Sequence, residues 1–547
     1  MKTVLLIVLD GWGIAPPSPS NAITSAKLPF YTRLLATYPH GLLQASGEAV
    51  GLPRGEDGNT ETGHLNIGAG RVVYQDLPRI NMSIADGTFF QNTAFLSALS
   101  HAQKTDGNLH LLGLVGLGGV HSNIEHLYSL MEVCKQHQFA RVYLHLFTDG
   151  RDSPPKSAIS YLTQVADKIK SLSLGKIATI MGRYFAMDRD LRWERTEKAY
   201  QALTLSIGRK AADFEEAIKL AYDQGETDEF ITPTVITETD QPVATIKEGD
   251  SVIFFNFRID RPRQLIKSFV LDEFEKDANL VGFDPFAVKY YKKHEAQPSI
   301  YREPFKRGPR IKDLFFVTMT EYSMNIDVSA VAFPPQRVLY PLGRVLSEND
   351  IKQLRVSESE KERFVTYYFN GLLEKAFPGE DRLIIPSPTI ATYDLKPEMS
   401  SLELTDRLIE QLKRQEYGFI LVNYANPDMV AHTGNLSASI RACEAVDSCL
   451  GRLIPEILSV DGTIFITGDH GNAEELIDNT TGKVDTEHST APVPFICINK
   501  NWEGKGSSEL PQGILADVAP TILSMFDIMK PPNMMGRNLL ENVLDLD

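Results

Sequence analysis

The chain has 547 residues, of which 43% are hydrophobic and 23% charged, a composition typical of a globular protein. Its length predicts several domains. The net charge of −16 argues against nucleic acid or an anionic membrane as the main partner. An anionic substrate would therefore need a local cluster of basic side chains.

The cysteines and the N-terminus favour a cytoplasmic protein. The four cysteines have no CxxC spacing, which indicates reduced thiols rather than a disulfide framework. The first apolar run, 4–9, ends at Asp10 and is too short for an export signal. No run approaches the roughly eighteen apolar residues that a membrane span requires.

Short apolar runs alternate with helix-length amphipathic segments along most of the chain, which predicts parallel α/β architecture. In chain order, the predicted strands are 4–9, 110–114, 142–147, 177–181, 252–257, 315–319, 419–422, 463–466 and 494–498. The predicted helices between them are 124–135, 157–172, 193–203 and 213–223.

Three acids follow predicted strands from distant parts of the chain: Asp10, Asp428 and Asp469. Ligands in open α/β sheets bind outside the carboxyl ends of the strands, so we expect these acids to share one site. The N-terminal segment and the C-terminal third would then form one discontinuous domain with the middle inserted. We predict two α/β domains, the discontinuous one comprising 1–76 and 310–547 and the inserted one comprising 77–309.

The same regions supply histidines that could complete a metal site. His432 lies four residues after Asp428, which places both on one face of a helix. Taken alone, an aspartate and a histidine four residues apart are more often a surface pair, and an acid–histidine pair at a strand end is commonly a cap or an ordinary loop. The combined set of oxygen and nitrogen donors suits Mn²⁺ or Zn²⁺. Its members are Asp10, Asp428, His432, Asp469, His470 and His488.

A glycine-flanked segment, 57–64, contains a candidate nucleophile, Thr60. Glycines allow close approach of the backbone to a phosphate, and a helix that begins here would direct free N–H groups at an anion. A threonine hydroxyl could attack phosphorus if a metal lowered its pKa. The alternative interpretation is a threonine that only caps a helix.

Five arginines occur at or shortly after predicted strand ends of the middle region: Arg151, Arg183, Arg189, Arg258 and Arg261. Any one of them alone fits a solvated surface position. Guanidinium groups bind phosphate and carboxylate through paired hydrogen bonds. Together the five predict a pocket for an anionic substrate.

Seven motifs carry a resemblance that runs nearly end to end. They lie at 9–13, 58–71, 148–152, 182–190, 255–261, 423–432 and 468–473. The sequence resembles cofactor-independent phosphoglycerate mutase, a member of the alkaline phosphatase superfamily. The resemblance implies an isomerase of glycolysis and gluconeogenesis that interconverts 3-phosphoglycerate and 2-phosphoglycerate without bisphosphoglycerate, through a phosphothreonine on Thr60.

The resemblance also implies roles for individual residues. It implies an alkaline-phosphatase-like discontinuous domain, a small-molecule substrate, a monomer, and two Mn²⁺ ions, with Mg²⁺, Co²⁺ or Zn²⁺ as alternatives. One ion would be held by Asp428, His432 and His488, and the other by Asp10, Asp469, His470 and the Thr60 oxygen. The substrate would contact His121, Arg151, Asp152, Arg183, Arg189, Arg258, Arg261 and Lys361. Among these, His121 and Asp152 would lie beside the reacting oxygens, and Asp152 would move the proton.

The chain departs from the family pattern in three places. Thr60 replaces the usual serine, the acid of the loop at 116–121 is lost, and the irregular stretch near 276–310 is longer. Two rival functions stay open at this point. One is a metal-dependent phosphatase of the same superfamily, which would lack a domain that retains the alcohol. The other is a non-catalytic, metal-stabilised scaffold, which would have lost ligands or the nucleophile.

Overall fold

The computed structural model describes residues 2–279, 302–323, 325–477, 481–506 and 510–541. Most of the long irregular stretch predicted near 276–310 lies outside these residues. Among the residues described, no helix combines the length and the apolar character needed to cross a bilayer.

The secondary structure alternates between strands and helices, as parallel α/β architecture requires. The strands are β1 Val4–Leu9, β2 His40–Gln44, β3 Leu109–Leu114, β4 Val142–Thr148, β5 Lys176–Gly182, β6 Arg209–Ala211, β7 Thr234–Glu238, β8 Gln241–Pro242, β9 Ser251–Phe254, β10 Phe315–Thr320, β11 Ala330–Phe333, β12 Gln353–Glu358, β13 Glu380–Ile385, β14 Phe419–Tyr424, β15 Thr463–Gly468, β16 Val493–Ile498 and β17 Gly513–Ile514. The α-helices are α1 Ala22–Ser25, α2 Pro29–Thr37, α3 Thr60–Ala69, α4 Asp76–Ala85, α5 Thr93–Lys104, α6 Ile124–Gln136, α7 Ala158–Leu172, α8 Arg183–Ala186, α9 Trp193–Leu205, α10 Phe214–Asp223, α11 Arg263–Val270, α12 Phe274–Asp277, α13 Leu342–Glu348, α14 Ser401–Leu412, α15 Asn426–Ala431, α16 Leu436–Ser459 and α17 Val518–Ser524.

The chain divides into two compact units. The discontinuous unit comprises Met1–Pro78 and Gln336–Asp547, and the inserted unit comprises Arg79–Pro335. Each unit has its own sheet and its own apolar core. The fold is therefore α/β, with two separate sheets.

The sheet of the discontinuous unit has the strand order β13-β12-β14-β1-β15-β16-β2-β17. Strand β1 lies between β14 and β15, and both neighbours run parallel to it. All residues of β1 are buried, as expected for a strand with neighbours on both sides and both faces covered. In register, Leu9 faces Tyr424 on one side and Gly468 on the other, so these three strands end side by side.

The sheet of the inserted unit has the order β11-β10-β9-β3-β4-β5-β7-β6, and β8 pairs with β7. The strands from β11 to β5 are all parallel, and β7 is antiparallel to β5. The carboxyl ends of β3, β4, β5 and β9 therefore point the same way. The loops that follow them carry the arginines predicted to bind the substrate.

The predicted domain boundary between residues 309 and 310 is wrong. Strand β10, which the prediction assigned to the discontinuous domain, pairs in parallel with β9 and belongs to the inserted unit. The stretch before it also packs on that unit, because the Arg307 guanidinium donates hydrogen bonds to the carbonyls of Ser268 and Leu271. The boundaries fall instead after Pro78 and after Pro335.

Candidate active site

Strand ends of the discontinuous unit bring the predicted metal ligands together. Asp10 follows β1, and Asp469 and His470 follow β15 directly. Asp428 lies in the first turn of α15, the short helix that follows β14 and contains a proline in its own first turn. His432 caps the C-terminal end of that helix, one turn after Asp428.

The ligand atoms form two overlapping groups. Atoms of Asp10, Asp469 and His470 lie within 4.8 Å of one another, as do atoms of Asp428, His470 and His488. His432 joins the second group, because its Nε2 lies 3.3 Å from Asp428 Oδ1 and 3.2 Å from His488 Nε2. The structure thus brings all six predicted side chains to one place, with His470 shared between the groups.

Lys361 lies among these acids. It belongs to a short 3₁₀ turn, Ser359–Lys361, directly after β12. Its Nζ is 2.6 Å from Asp10 Oδ1, 2.7 Å from Asp428 Oδ2 and 3.0 Å from Thr60 Oγ1. Burial alone would lower the pKa of Lys361, but Asp10 and Asp428 hold the pKa above its ordinary value.

The ionisable groups of this cluster strongly shift one another's pKa values. Burial would raise the pKa of Asp428, but Lys361 and then His432 and His488 hold the pKa well below its usual range. For His470, burial lowers the pKa, but Asp469 and Asp10 prevail and raise it to about 10. Asp428 and Asp469, whose pKa values both lie below their usual range, are therefore ionised at neutral pH.

Thr60 is the first residue of α3 and does not cap it. The cap is Asn59, whose side chain accepts a hydrogen bond from the Thr62 N–H at 2.9 Å. The interpretation of Thr60 as a plain helix cap is therefore wrong. The Thr60 side chain is buried, and its Oγ1 lies 2.9 Å from His470 Nε2.

The glycines around Thr60 allow α3 to approach the ligand loops. A Cβ on Gly63 would lie 2.4 Å from the Asp469 carbonyl oxygen, and one on Gly58 would lie 2.9 Å from His470 Cβ. These contacts leave no space for a side chain. The segment 57–64 is thus glycine-rich because it packs against the Asp469–His470 loop.

Sequence reasoning missed the side chains that orient the carboxylates. The Asn423 amide donates to Asp10 Oδ2 at 2.6 Å, and the Asn472 amide donates to Asp428 Oδ1 at 2.7 Å. His64 Nδ1 lies 3.2 Å from Asp469 Oδ2. All three lie inside motifs noted from the sequence, but nothing in the spacing of those motifs indicates their roles.

This donor set fits divalent cations. Carboxylate oxygens and imidazole nitrogens in two close groups suit two-cation sites of the kind that Mn²⁺, Co²⁺ or Zn²⁺ occupy. A cation would balance the negative charge of the cluster.

The inserted unit holds a second cluster, centred on Arg183. This buried guanidinium lies 2.5 Å from both Asp149 Oδ1 and Asp152 Oδ2, and 2.8 Å from His121 Nε2. Burial, followed by the charge of Arg183, lowers the pKa of His121 to about 3. Burial would raise the pKa of Asp152, but Arg183 lowers it below its ordinary value. His121 is therefore neutral and Asp152 ionised at neutral pH.

The other predicted arginines lie around Asp260 or face outward. Asp260 accepts from Arg189 at 2.5 Å and from Arg258 at 3.1 Å. Arg261 donates to the Met187 carbonyl at 3.4 Å. Arg151 is more than half exposed, and it comes no closer than 3.8 Å to Glu229. Two acids of this region were not predicted as site residues: Asp149, which pairs with Arg183, and Asp260, which pairs with Arg189 and Arg258.

Comparison with known proteins gives consistent matches. The family profile described as "BPG-independent PGAM N-terminus (iPGM_N)" matches residues 80–324. A relative from Moorella thermoacetica, named 2,3-bisphosphoglycerate-independent phosphoglycerate mutase, is 48% identical over 539 residues, or 98% of each chain. A relative of the same name from Clostridium beijerinckii is 47% identical over 541 residues, or 99% of each chain.

One solved structure is also similar over nearly the whole chain. It is that of Leishmania mexicana phosphoglycerate mutase at low cobalt concentration. The TM-score is 0.55 and the sequence identity 28%, and the match covers 98% of this chain and 97% of the other.

Proposed function

The chain belongs to the 2,3-bisphosphoglycerate-independent phosphoglycerate mutases and is an isomerase; from this premise we propose that it transfers the phosphoryl group of phosphoglycerate through Thr60. The observation that carries the proposal is the placement of the Thr60 hydroxyl. It lies within hydrogen-bond distance of both His470 and Lys361 and beside three buried carboxylates. No other described hydroxyl contacts the same two residues.

The two ligand groups would hold two divalent cations, and Mn²⁺ is the ion that we propose. One group consists of Asp428, His432 and His488, and the other of Asp10, Asp469, His470 and the Thr60 oxygen. When bound, the cations would lower the pKa of the Thr60 hydroxyl and neutralise charge on the phosphoryl oxygens.

Thr60 supplies the nucleophile, and Lys361 supplies a fixed positive charge. The Thr60 hydroxyl would lose its proton to solvent, and its oxygen would form a bond to phosphorus while the bond between phosphorus and the glycerate oxygen breaks. Lys361 Nζ lies 3.0 Å from Thr60 Oγ1 and would bind a phosphoryl oxygen. The product of this half is a phosphothreonine and free glycerate.

Asp152 carries the proton between the two glycerate hydroxyls. Asp152 would take up a proton from solvent as the substrate binds and donate it to the leaving oxygen; the resulting carboxylate would then accept the proton of the other hydroxyl as that oxygen attacks the phosphothreonine. The negative charge of a bound substrate would raise the pKa of Asp152 toward the value this exchange needs. His121 is neutral, and its Nε2 lies 2.8 Å from the Arg183 guanidinium. Its ring can donate or accept a hydrogen bond next to Asp152.

The arginines of the inserted unit would retain the glycerate between the two half-reactions, after the phosphoryl group has moved to Thr60 and before it returns. Arg183, Arg189, Arg258 and Arg261 present guanidinium groups suited to a carboxylate and a phosphate. Retention distinguishes a mutase from a phosphatase, because a phosphatase releases the alcohol and passes the phosphate to water.

A direct assay tests the proposal. The enzyme with Mn²⁺ and without bisphosphoglycerate is given 3-phosphoglycerate, and both 2-phosphoglycerate and free phosphate are measured. We expect 2-phosphoglycerate to form with little free phosphate. Stoichiometric release of phosphate would instead support the phosphatase, and absence of either product with Mn²⁺, Co²⁺ or Zn²⁺ would contradict the proposal.

A further inference from the structure

Three segments that carry metal ligands meet at one buried carboxylate, Glu474. The residue is 2% exposed. Its Oε2 accepts hydrogen bonds from the Gly13 N–H at 3.0 Å and from the Asn472 N–H at 2.8 Å. Its Oε1 accepts a short hydrogen bond from the Ser489 hydroxyl.

Each of these partners stands close in sequence to a ligand. Gly13 follows Asp10 by three residues, Asn472 follows His470 by two, and Ser489 directly follows His488. Glu474 itself belongs to neither ligand group found among the described residues. It therefore connects the segments that supply both groups without being a ligand.

Two glycines make this connection possible. A Cβ on Gly13 would lie 2.3 Å from Glu474 Cδ, and a Cβ on Gly471 would lie 2.4 Å from Glu474 Oε1 and 2.3 Å from Ser489 Oγ. No substituent fits at either position while the carboxylate stays in place. These glycines belong to the motifs at 9–13 and 468–473. Neither has a positive φ, and neither offers a side chain to a cation, so the presence of glycine at these positions is explained by the space that Glu474 occupies.

We propose that Glu474 is a positioning residue for the cation site, a role that rests on the proposed function. It fixes the mutual spacing of Asp10, His470 and His488 by holding the backbone or side chain beside each. Cation affinity depends on ligand positions within a few tenths of an ångström. Loss of an orienting partner outside the ligand shell commonly costs about 10- to 100-fold in metal affinity.

The test measures Mn²⁺ binding directly, by calorimetry on the metal-free enzyme, with thermal unfolding of the metal-free protein alongside. Glu474→Gln keeps the size of the side chain but replaces a carboxylate oxygen with a donor, so it cannot accept all three hydrogen bonds. We expect Mn²⁺ affinity to fall about 10- to 100-fold. At saturating Mn²⁺, the KM for 3-phosphoglycerate should stay unchanged, because the arginine cluster is untouched.

Asp447→Asn is the matched control. Asp447 is also buried in the discontinuous unit, and it accepts hydrogen bonds from the backbone N–H groups of Phe30 and Tyr31, but it contacts no predicted ligand. This variant should lose thermal stability while keeping wild-type affinity for Mn²⁺. A positioning role predicts that only the Glu474 variant loses affinity.

A milder variant keeps the test decisive if Glu474→Gln does not fold. Ser489→Ala removes one of the three hydrogen bonds and should weaken Mn²⁺ binding severalfold. Wild-type affinity in Glu474→Gln, or in Ser489→Ala when the first variant is unfolded, would overturn the inference. If the unmodified enzyme itself bound no Mn²⁺, Co²⁺ or Zn²⁺, the proposed metal chemistry would fail instead, so the two failures are distinguishable.

Discussion

Acidification should destabilise the inserted unit through His126, a buried histidine on α6. The side chain is fully buried, and its Nε2 lies 2.9 Å from Asn81 Oδ1, which the neutral ring satisfies as a donor. Burial lowers the pKa of His126 to about 3. Protonation in the folded state would create a buried cation whose second ring N–H has no hydrogen-bond partner among the described residues.

The sign and size of the effect follow from linkage. The pKa is lower in the folded state than in the unfolded chain, where it is about 6.5. The unfolded chain therefore takes up the proton first, and stability is lost as pH falls below about 6.5. Between pH 7.5 and pH 5, the free energy of unfolding should fall by roughly 2 kcal/mol for this residue alone.

The measurement compares the wild type with His126→Gln, which keeps a donor toward Asn81 but does not titrate. Unfolding of the full chain in urea is monitored through hydrogen exchange of the α6 amides, and the measurement is made at both pH values. The wild type should lose roughly 2 kcal/mol more than the variant between them. The metal ligands are the same in both proteins, so their titration cancels. An equal pH dependence in the two proteins would show that His126 does not cause the loss of stability.

Three further predictions concern the sites directly. Chelation should abolish mutase activity and added Mn²⁺ should restore it; full activity in a preparation shown by elemental analysis to lack metal would contradict the ligand assignment. Lys361→Met should lower kcat/KM by at least about 100-fold in steady-state assays, because a fixed charge on the phosphoryl group is lost; near-normal kinetics would contradict this role. Arg258→Ala should lower kcat/KM roughly 10- to 100-fold and raise the share of phosphate lost to water; an unchanged share would argue against retention of glycerate.

Much of the sheet that carries the metal site could be predicted, because its strands are continuous apolar runs. Strand β1 has the predicted bounds, and the acids after β1 and β15 stand at the strand ends in register. The sheet to which β10 belongs could not be predicted in this way. An apolar run of this kind fits the middle of either sheet, and only its pairing with β9 decides between them.

The clustering of side chains could be predicted where the residue type itself carries the chemistry. An aspartate or histidine after a strand indicates a ligand, but the contacts of Asn423 with Asp10, of Asn472 with Asp428 and of Glu474 with Gly13 join residues that are distant in sequence. Thr60 shows a related limit. Asn59 caps α3, and the Thr60 hydroxyl lies instead within hydrogen-bond distance of His470 and Lys361, an outcome that depends on residues distant in sequence.

Thr60 is proposed to carry the phosphoryl group during turnover. The most direct test is to mix the Mn²⁺-loaded enzyme with 3-phosphoglycerate labelled in the phosphate, quench the reaction within the first turnovers, and map the phosphorylated peptide by mass spectrometry. We expect label on Thr60 in the wild type, label on the introduced serine in Thr60→Ser, and neither label nor mutase activity in Thr60→Val. Label on another residue, or normal turnover by Thr60→Val, would contradict this role of Thr60.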